Sequence, residues 1–235
     1  MASGTEGKSG YEMNKEWSAL NKTVQEKIKK EATFYEGIET LLGLRKQLMN
    51  EILKLKTELS REEFNAIPFI NANGYHSKTI AYSIWHIFRI EDIVAHTLIG
   101  KDEQIFFSGD YRTCIGAPII TTGNELVKEQ ISEFSAALNL DELYRYISSV
   151  ADGTNHILEH LSFADLKRKM TDADKERLQS LNVVSQDEKA YWLIDYWCGK
   201  DVKGLIQMPF SRHWIMHIEA SLRIRNKIHI TRVAE

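Results

Sequence analysis

The chain has 235 residues, of which 43% are hydrophobic, and a formal charge of -3 from 30 basic and 33 acidic side chains. That length and apolar fraction suffice for one self-supporting core without disulfide staples. Charges of both signs are interspersed, which leaves no one-signed field for nucleic acid, and no apolar run approaches the roughly 20 residues of a membrane span.

Residues Met1 to Gly10 are small and polar and lack the apolar stretch of a secretory signal, which predicts a cytoplasmic protein with a frayed start. Tyr11 to Lys30 is charged and weakly amphipathic, so residues 1–32 read as a partly helical N-terminal extension and 33–235 as a helical bundle domain. Thr33 to Leu59 places Ile38, Leu41, Leu42, Leu48, Ile52 and Leu55 at helical intervals. Ser60-Arg61-Glu62-Glu63 has the form of a capping box, and Pro68 followed by Asn71-Ala72-Asn73-Gly74 marks a connection. The next helix spans Ser77 to Ile99 and is expected to close with Gly100 in the left-handed conformation. It is apolar around most of its circumference, and the narrow strip of Lys78, Arg89, Asp92 and His96 is expected to face solvent.

Lys101 to Gly123, where Gly109, Gly116 and Pro118 interrupt short apolar runs, reads as a long connection whose length suits a lid or the wall of a site. Helices follow over Asn124–Leu138 and Asp141–Leu161. The second has Asp141 as N-cap, a stripe of Leu143, Tyr146, Ile147, Val150, Ile157 and Leu161, and Gly153 in its middle. A charged connection from Met170 to Asn182, helical in part, leads to a short aromatic helix over Gln186–Cys198 closed by Gly199. Gly204 and Pro209 then separate it from a final helix over Ser211–Thr231 capped by Ser211. Arg223, Arg225, Lys227, His229 and Arg232 gather at its end, where cations offset the negative pole of the helix dipole. No segment alternates as a strand does. The expected fold class is therefore all-α, a four-helix bundle with additional short helices. Cys114 and Cys198 match no metal or redox spacing, and Cys198 sits in an apolar run that suits a core.

The strongest chemical feature is His213-Trp-Ile-Met-His217, whose i, i+4 spacing puts two imidazoles on one helix face with Cβ atoms about 5–6 Å apart. Ala220, Ile224 and Ile228 share that face, so the pair points into the bundle. His86 is the candidate third ligand, because it lies outside the polar strip of its helix, beside Thr79, Ser83 and Ile90. Three converging buried imidazoles are costly unless a metal or hydrogen-bond partners take up their nitrogens. Three protein nitrogens would leave a coordination position for water or substrate, as catalytic rather than structural metal sites do. His156 and His160 form a rival pair, but Asn155 and Glu159 beside them mark a solvated face. His76 falls in a loop, His96 on the polar strip and His229 on the far side of the last helix. Glu91 falls in the apolar arc near Ile80, Ile84 and Val94 and needs a partner: a ligating imidazole, Tyr82, Trp85 or a cation.

A lone histidine within Ser83-Ile-Trp-His86-Ile-Phe-Arg-Ile-Glu91, followed much later by His213-x-x-x-His217, resembles the DinB/YfiT-like superfamily of metal-binding four-helix bundles. The resemblance runs from about Thr33 to Thr231 and is concentrated in those two segments. It implies that His86, His213 and His217 hold one divalent metal ion, zinc or nickel. The family includes thiol-dependent transferases and isomerases, such as those using bacillithiol or mycothiol. The implied activity is thus a metal-dependent transferase or hydrolase acting on a small molecule, with a thiol or water as co-reactant. Where family members continue with further histidines and an Arg-Gly-Gln run, this chain reads Ile218-Glu-Ala-Ser-Leu-Arg-Ile-Arg-Asn226. Two other readings stand beside the enzyme: a noncatalytic metal-binding stress protein, and a structural bundle whose inward histidines hydrogen-bond without any ion. The partners these readings admit are a small-molecule substrate or thiol and a second copy of the chain as a homodimer, not nucleic acid or a membrane.

Overall fold

Apolar residues spaced three and four apart produce helices along almost the whole chain. The computed structural model describes residues 10–234, so the polar start on which the expectation of fraying falls lies outside the described residues. The long elements are α1 (Gly10–Lys27) and α2 (Phe34–Glu58), followed by the single turn α3 (Arg61–Phe64) and by α4 (Ile80–Asp92). Two short helices, α5 (Ile105–Ser108) and α6 (Tyr111–Ile115), precede α7 (Glu129–Ala137) and α8 (Leu140–His160). The chain ends with α9 (Asp172–Leu181), α10 (Glu188–Cys198), α11 (Val202–Gln207) and α12 (His213–Ala234). Among the described residues there is no strand, only an isolated antiparallel bridge between Lys169 and Asp201, and no helix is long and apolar enough to cross a membrane.

α4 packs against α8 and α12, and α2 packs against the same two helices from the other side. α1, which the sequence sets apart as an extension, lies along α2 and buries Trp17, Val24 and Ile28. The apolar interior falls into two clusters. One holds Leu48, Ile52, Trp85, Phe88, Tyr146, Ile147 and Trp214. The other holds Ile38, Leu41, Ile93, Leu98, Leu193, Trp197 and Phe210. Fully burying each such aliphatic or aromatic side chain contributes about 1.5–3 kcal/mol.

Where the clusters meet, the interior turns polar. Glu91 accepts two hydrogen bonds from Arg45, from Nη1 at 2.8 Å and Nη2 at 2.7 Å, and a third from Trp214 Nε1 at 2.7 Å. Arg45 also donates to Asn155 Oδ1 at 2.7 Å and to the Phe210 carbonyl at 3.2 Å, and its guanidinium lies over the Trp214 ring. One buried ion pair thus ties α2, α4, α8 and the α12 region together, and the partner Glu91 required is a cation with an indole.

Several expectations need correction. The strip of Arg89, Asp92 and His96 is buried, because the 101–123 connection folds over it and supplies partners. Arg89 donates to the Ile120 carbonyl at 2.9 Å and to Gln104 Oε1 at 2.7 Å. Asp92 accepts from the Ile105 and Phe106 amides and the Tyr146 hydroxyl, and His96 Nδ1 meets Asp102 at 2.9 Å. The helix starts at Ile80 behind a Thr79 N-cap, continues beyond Asp92 as a π-helical segment, Ile93–Gly100, and is closed by Lys101 at φ 63° instead of Gly100. The helix expected over Asn124–Leu138 begins only at Glu129, since Lys128 has φ 48° and cannot continue a helical turn. Asn139, not Asp141, caps α8 by accepting from the Asp141 and Glu142 amides.

Pro209 does not break the chain, and Ser211 is not a cap. A second π-helical segment, Met208–Arg212, carries α11 directly into α12 with Pro209 in its first turn, where a missing N–H costs nothing. Gly153 in α8 is explained by close approach: a Cβ there would lie 2.7 Å from Ile105 Cδ1 and 3.0 Å from His96 Nε2. Cys198 is only half-buried and Cys114 is exposed, both free. The basic end of α12 is neutralised, with Arg223 paired to Glu219, Arg225 to Glu58 and Arg232 to Glu63.

Glu91→Gln keeps the shape of the side chain but strands the Arg45 charge in the interior, and loss of one partner of a buried pair costs about 3–5 kcal/mol. Urea unfolding measures this directly. A loss within the roughly 1 kcal/mol of an exposed ion pair would refute the role given to the contact.

Candidate metal centre

α4 contributes one histidine and α12 two, and the packing of these helices sets the three together. His86, His213 and His217 are 5%, 6% and 2% exposed. Their ring centroids are 5.0 Å apart for His86 and His213, 4.9 Å for His86 and His217, and 4.6 Å for His213 and His217. One nitrogen from each lies within 4.8 Å of the others, and they are the one such group of three metal-ligating side chains found among the described residues. Donors at 2.0–2.1 Å from one tetrahedral ion stand roughly 3.4 Å apart, so closure asks for a convergence of at most roughly 1.5 Å.

The tautomer of His86 is fixed. Its Nδ1 lies 2.7 Å from the Thr122 carbonyl, which can only accept, so Nδ1 carries the proton and Nε2 keeps its lone pair. This is the arrangement by which a backbone carbonyl orients a metal-ligating imidazole. It also gives the long 101–123 connection a role as a wall of the site: its last residues hold Tyr82 as well, whose hydroxyl donates to the Gly123 carbonyl at 2.9 Å. The Tyr82 ring stacks on His86 at 5.4 Å with an interplanar angle of 11°.

The other two rings are not satisfied in this way. His213 Nδ1 and both nitrogens of His217 are buried without a hydrogen-bond partner. Tyr75, at the 3-10 turn Gly74–Ser77 that packs on α12, closes edge-on over His217 at 4.7 Å. Burial pushes the His86 pKa down to about 4 against the opposing pull of the Thr122 carbonyl, with the Lys78 charge adding to the fall. Burial holds His213 and His217 well below the ordinary imidazole range, and each is lowered further by its histidine neighbours. All three are therefore neutral near pH 7, the form that ligates a cation.

The rival residues do not gather here. His156 and His160 are exposed on α8, with their rings 4.2 Å apart. His96 is buried against Asp102, and His76 packs edge-on to Phe69. Sequence reasoning passed over Arg45, Thr122 and Tyr75. Arg45 had a signal, a cation four residues after Leu41 and three before Leu48 within an apolar stripe. Thr122 acts through its carbonyl, which every residue possesses, so no side-chain pattern announces it. No protein-family model matches the chain, and no curated protein matches it.

Because the folded histidines are neutral while unfolded ones take up protons below about pH 6.5, acid favours the unfolded chain. The stability of the metal-free protein is expected to be fully present above pH 6.5 and to fall as the pH drops through about 4, the value of His86. Thermal melts of chelator-treated protein across that range check this, and the slope should flatten in the His86→Gln, His213→Gln, His217→Gln triple variant. An equal slope in both proteins would remove the triad as its origin.

Proposed function

We propose that this protein is a divalent-metal-binding four-helix bundle of the DinB/YfiT kind, built on α2, α4, α8 and α12, with His86, His213 and His217 as the metal ligands. The observation that carries the reading is the set of orphaned ring nitrogens on His213 and His217 beside an imidazole already oriented by Thr122. A buried polar group without a partner costs about 1–3 kcal/mol, and although single nitrogens of His76, His96 and His229 are also unpaired, only here, among the described residues, do three imidazole rings converge. An ion shared by one nitrogen of each ring would relieve part of that cost, the second nitrogen of His217 still having no partner. Imidazole ligands suit zinc and nickel alike.

In the enzymatic form of this reading, the protein is a metal-dependent transferase or hydrolase acting on a small molecule, with a thiol as co-reactant in the transferase and water in the hydrolase. Bound by the triad, a divalent ion would supply Lewis acidity and lower the pKa of a thiol or water. The chain's own part is to present neutral nitrogens, to fix His86 through Thr122, and to keep bulk water away with Tyr75 and Tyr82. The near-complete burial of all three rings favours a second reading, a noncatalytic metal holder, since a substrate would first have to displace Tyr75.

Elemental analysis of protein purified without a histidine tag is expected to find about one equivalent of metal. Replacing His86, His213 or His217 by Ala should lower occupancy more than the roughly 10–100-fold affinity loss typical of an outer-shell change. His156→Ala and His160→Ala should leave it unchanged. Full occupancy in His86→Ala, or none in the unaltered protein after incubation with zinc or nickel, would sink the proposal. Metal-dependent consumption of a thiol with chlorodinitrobenzene separates the enzyme from the holder.

A further inference from the structure

α1, α10 and the α11–α12 junction line an open cleft of about 470 Å³. Its charged lining consists of Lys22, Lys200 and Arg212, with no carboxylate among the lining residues. Lys22 reaches only an exposed Glu26 at 4.0 Å, while Lys200 lies over the Tyr196 ring at 4.2 Å. Arg212 has no ion pair among the described residues. In a chain of net charge -3, whose other basic cluster is neutralised by glutamates, such a concentration of cations is an exception. Two amides of the same lining are unsatisfied: Gln207 Nε2, and Oδ1 of Asn21, which is 5% exposed.

The cleft adjoins the metal centre through covalent sequence and through one ring. Arg212 immediately precedes His213, and the π-helical segment Met208–Arg212 places it on the cleft while His213 points into the bundle. Tyr75, which closes over His217, lies within electrostatic reach of both Arg212 and Tyr196.

We infer that this cleft binds the oxyanion group, phosphate or carboxylate, of a small-molecule ligand whose other end reaches the triad past Tyr75. Arg212 supplies a planar fork of donors, and Lys22 and Lys200 supply mobile point charges. The size of the cleft and the overall negative charge favour a small anion over a polyanion. Its link to the triad rests on the metal-site reading above, whereas binding of the anion does not.

The test titrates inorganic phosphate, and in a parallel arm succinate, into metal-free full-length protein by calorimetry. Saturable binding of at least one is expected, weakened roughly hundredfold or more in the Lys200→Gln, Arg212→Gln double variant, since each of the two charged hydrogen bonds lost costs about tenfold or more. Zinc content of that variant, measured alongside, should equal that of the unaltered chain. Stronger phosphate binding than succinate binding identifies a phosphate ligand, and the reverse a carboxylate. The inference fails if neither anion binds, if the double variant binds as before, or if binding occurs only with zinc present and vanishes in His86→Ala, which would make the anion a metal ligand. Anion binding without zinc binding would overturn the metal-site reading and leave the cleft standing.

Discussion

Glu91 has no exposure, and the guanidinium that faces it has almost none, so neither charge tolerates loss of the other. Around this contact the interior divides. On α2 the buried apolar residues up to Leu41 pack into one cluster and those from Leu44 onward into the other; on α4 the division falls between Phe88 and Ile90, and at the start of α12 between Phe210 and Trp214. The polar layer therefore registers the helices along their length, which apolar contact alone does weakly because hydrophobic attraction has no direction. A bidentate guanidinium–carboxylate pair has direction, and Trp214 Nε1 adds a third bond that sets the rotation of α12 about its axis. That rotation decides where His213 and His217 point. The triad depends on Glu91 without touching it.

The covering of α4 follows the same logic at a second place. A strip of Arg89, Asp92 and His96 on an otherwise apolar helix has the pattern of a solvent-facing edge, and periodicity gives no means of telling water from a polar partner segment. What settles the outcome is the 101–123 connection, whose Gln104, Ile120 carbonyl and Ile105 and Phe106 amides meet that strip group for group. The strip acts as an anchor for the connection, and the anchored connection then delivers the Thr122 carbonyl to His86. A strip that reads as surface in the sequence is thus part of what orients His86.

The α-helical class, the long helices and the three histidines were legible because each rests on local spacing: stripes at three and four residues, and an i, i+4 pair facing Ala220 and Ile224. Helix ends were read less well. Asn139 caps in place of Asp141, Lys101 in place of Gly100, and the junction at Pro209 runs on as a π-helical segment. In each case two adjacent residues could serve chemically, and tertiary packing chose between them. Contacts made by backbone atoms, such as Thr122 with His86, leave no trace in residue type. The Arg45–Glu91 partnership is intermediate: each residue is anomalous in its own stripe, but 46 positions separate them and only the fold matches one to the other.

The contrast between two buried polar groups bears on what the triad is for. Asp92 accepts from two backbone amides, a tyrosine hydroxyl and a guanidinium, so this chain is capable of satisfying a buried charge completely with its own atoms. At His213 and His217 it does not do so, although both are neutral and would need only one donor and one acceptor each. The Thr122 carbonyl meets that need for one nitrogen of His86 and leaves the other free. Bare buried nitrogens also occur at His96 Nε2 and Trp85 Nε1; what distinguishes the triad is that three imidazole rings meet at one place. Three rings with nitrogens within 4.8 Å of one another could hold a cation through one nitrogen each, and for His86 that nitrogen is the Nε2 left free by the Thr122 contact.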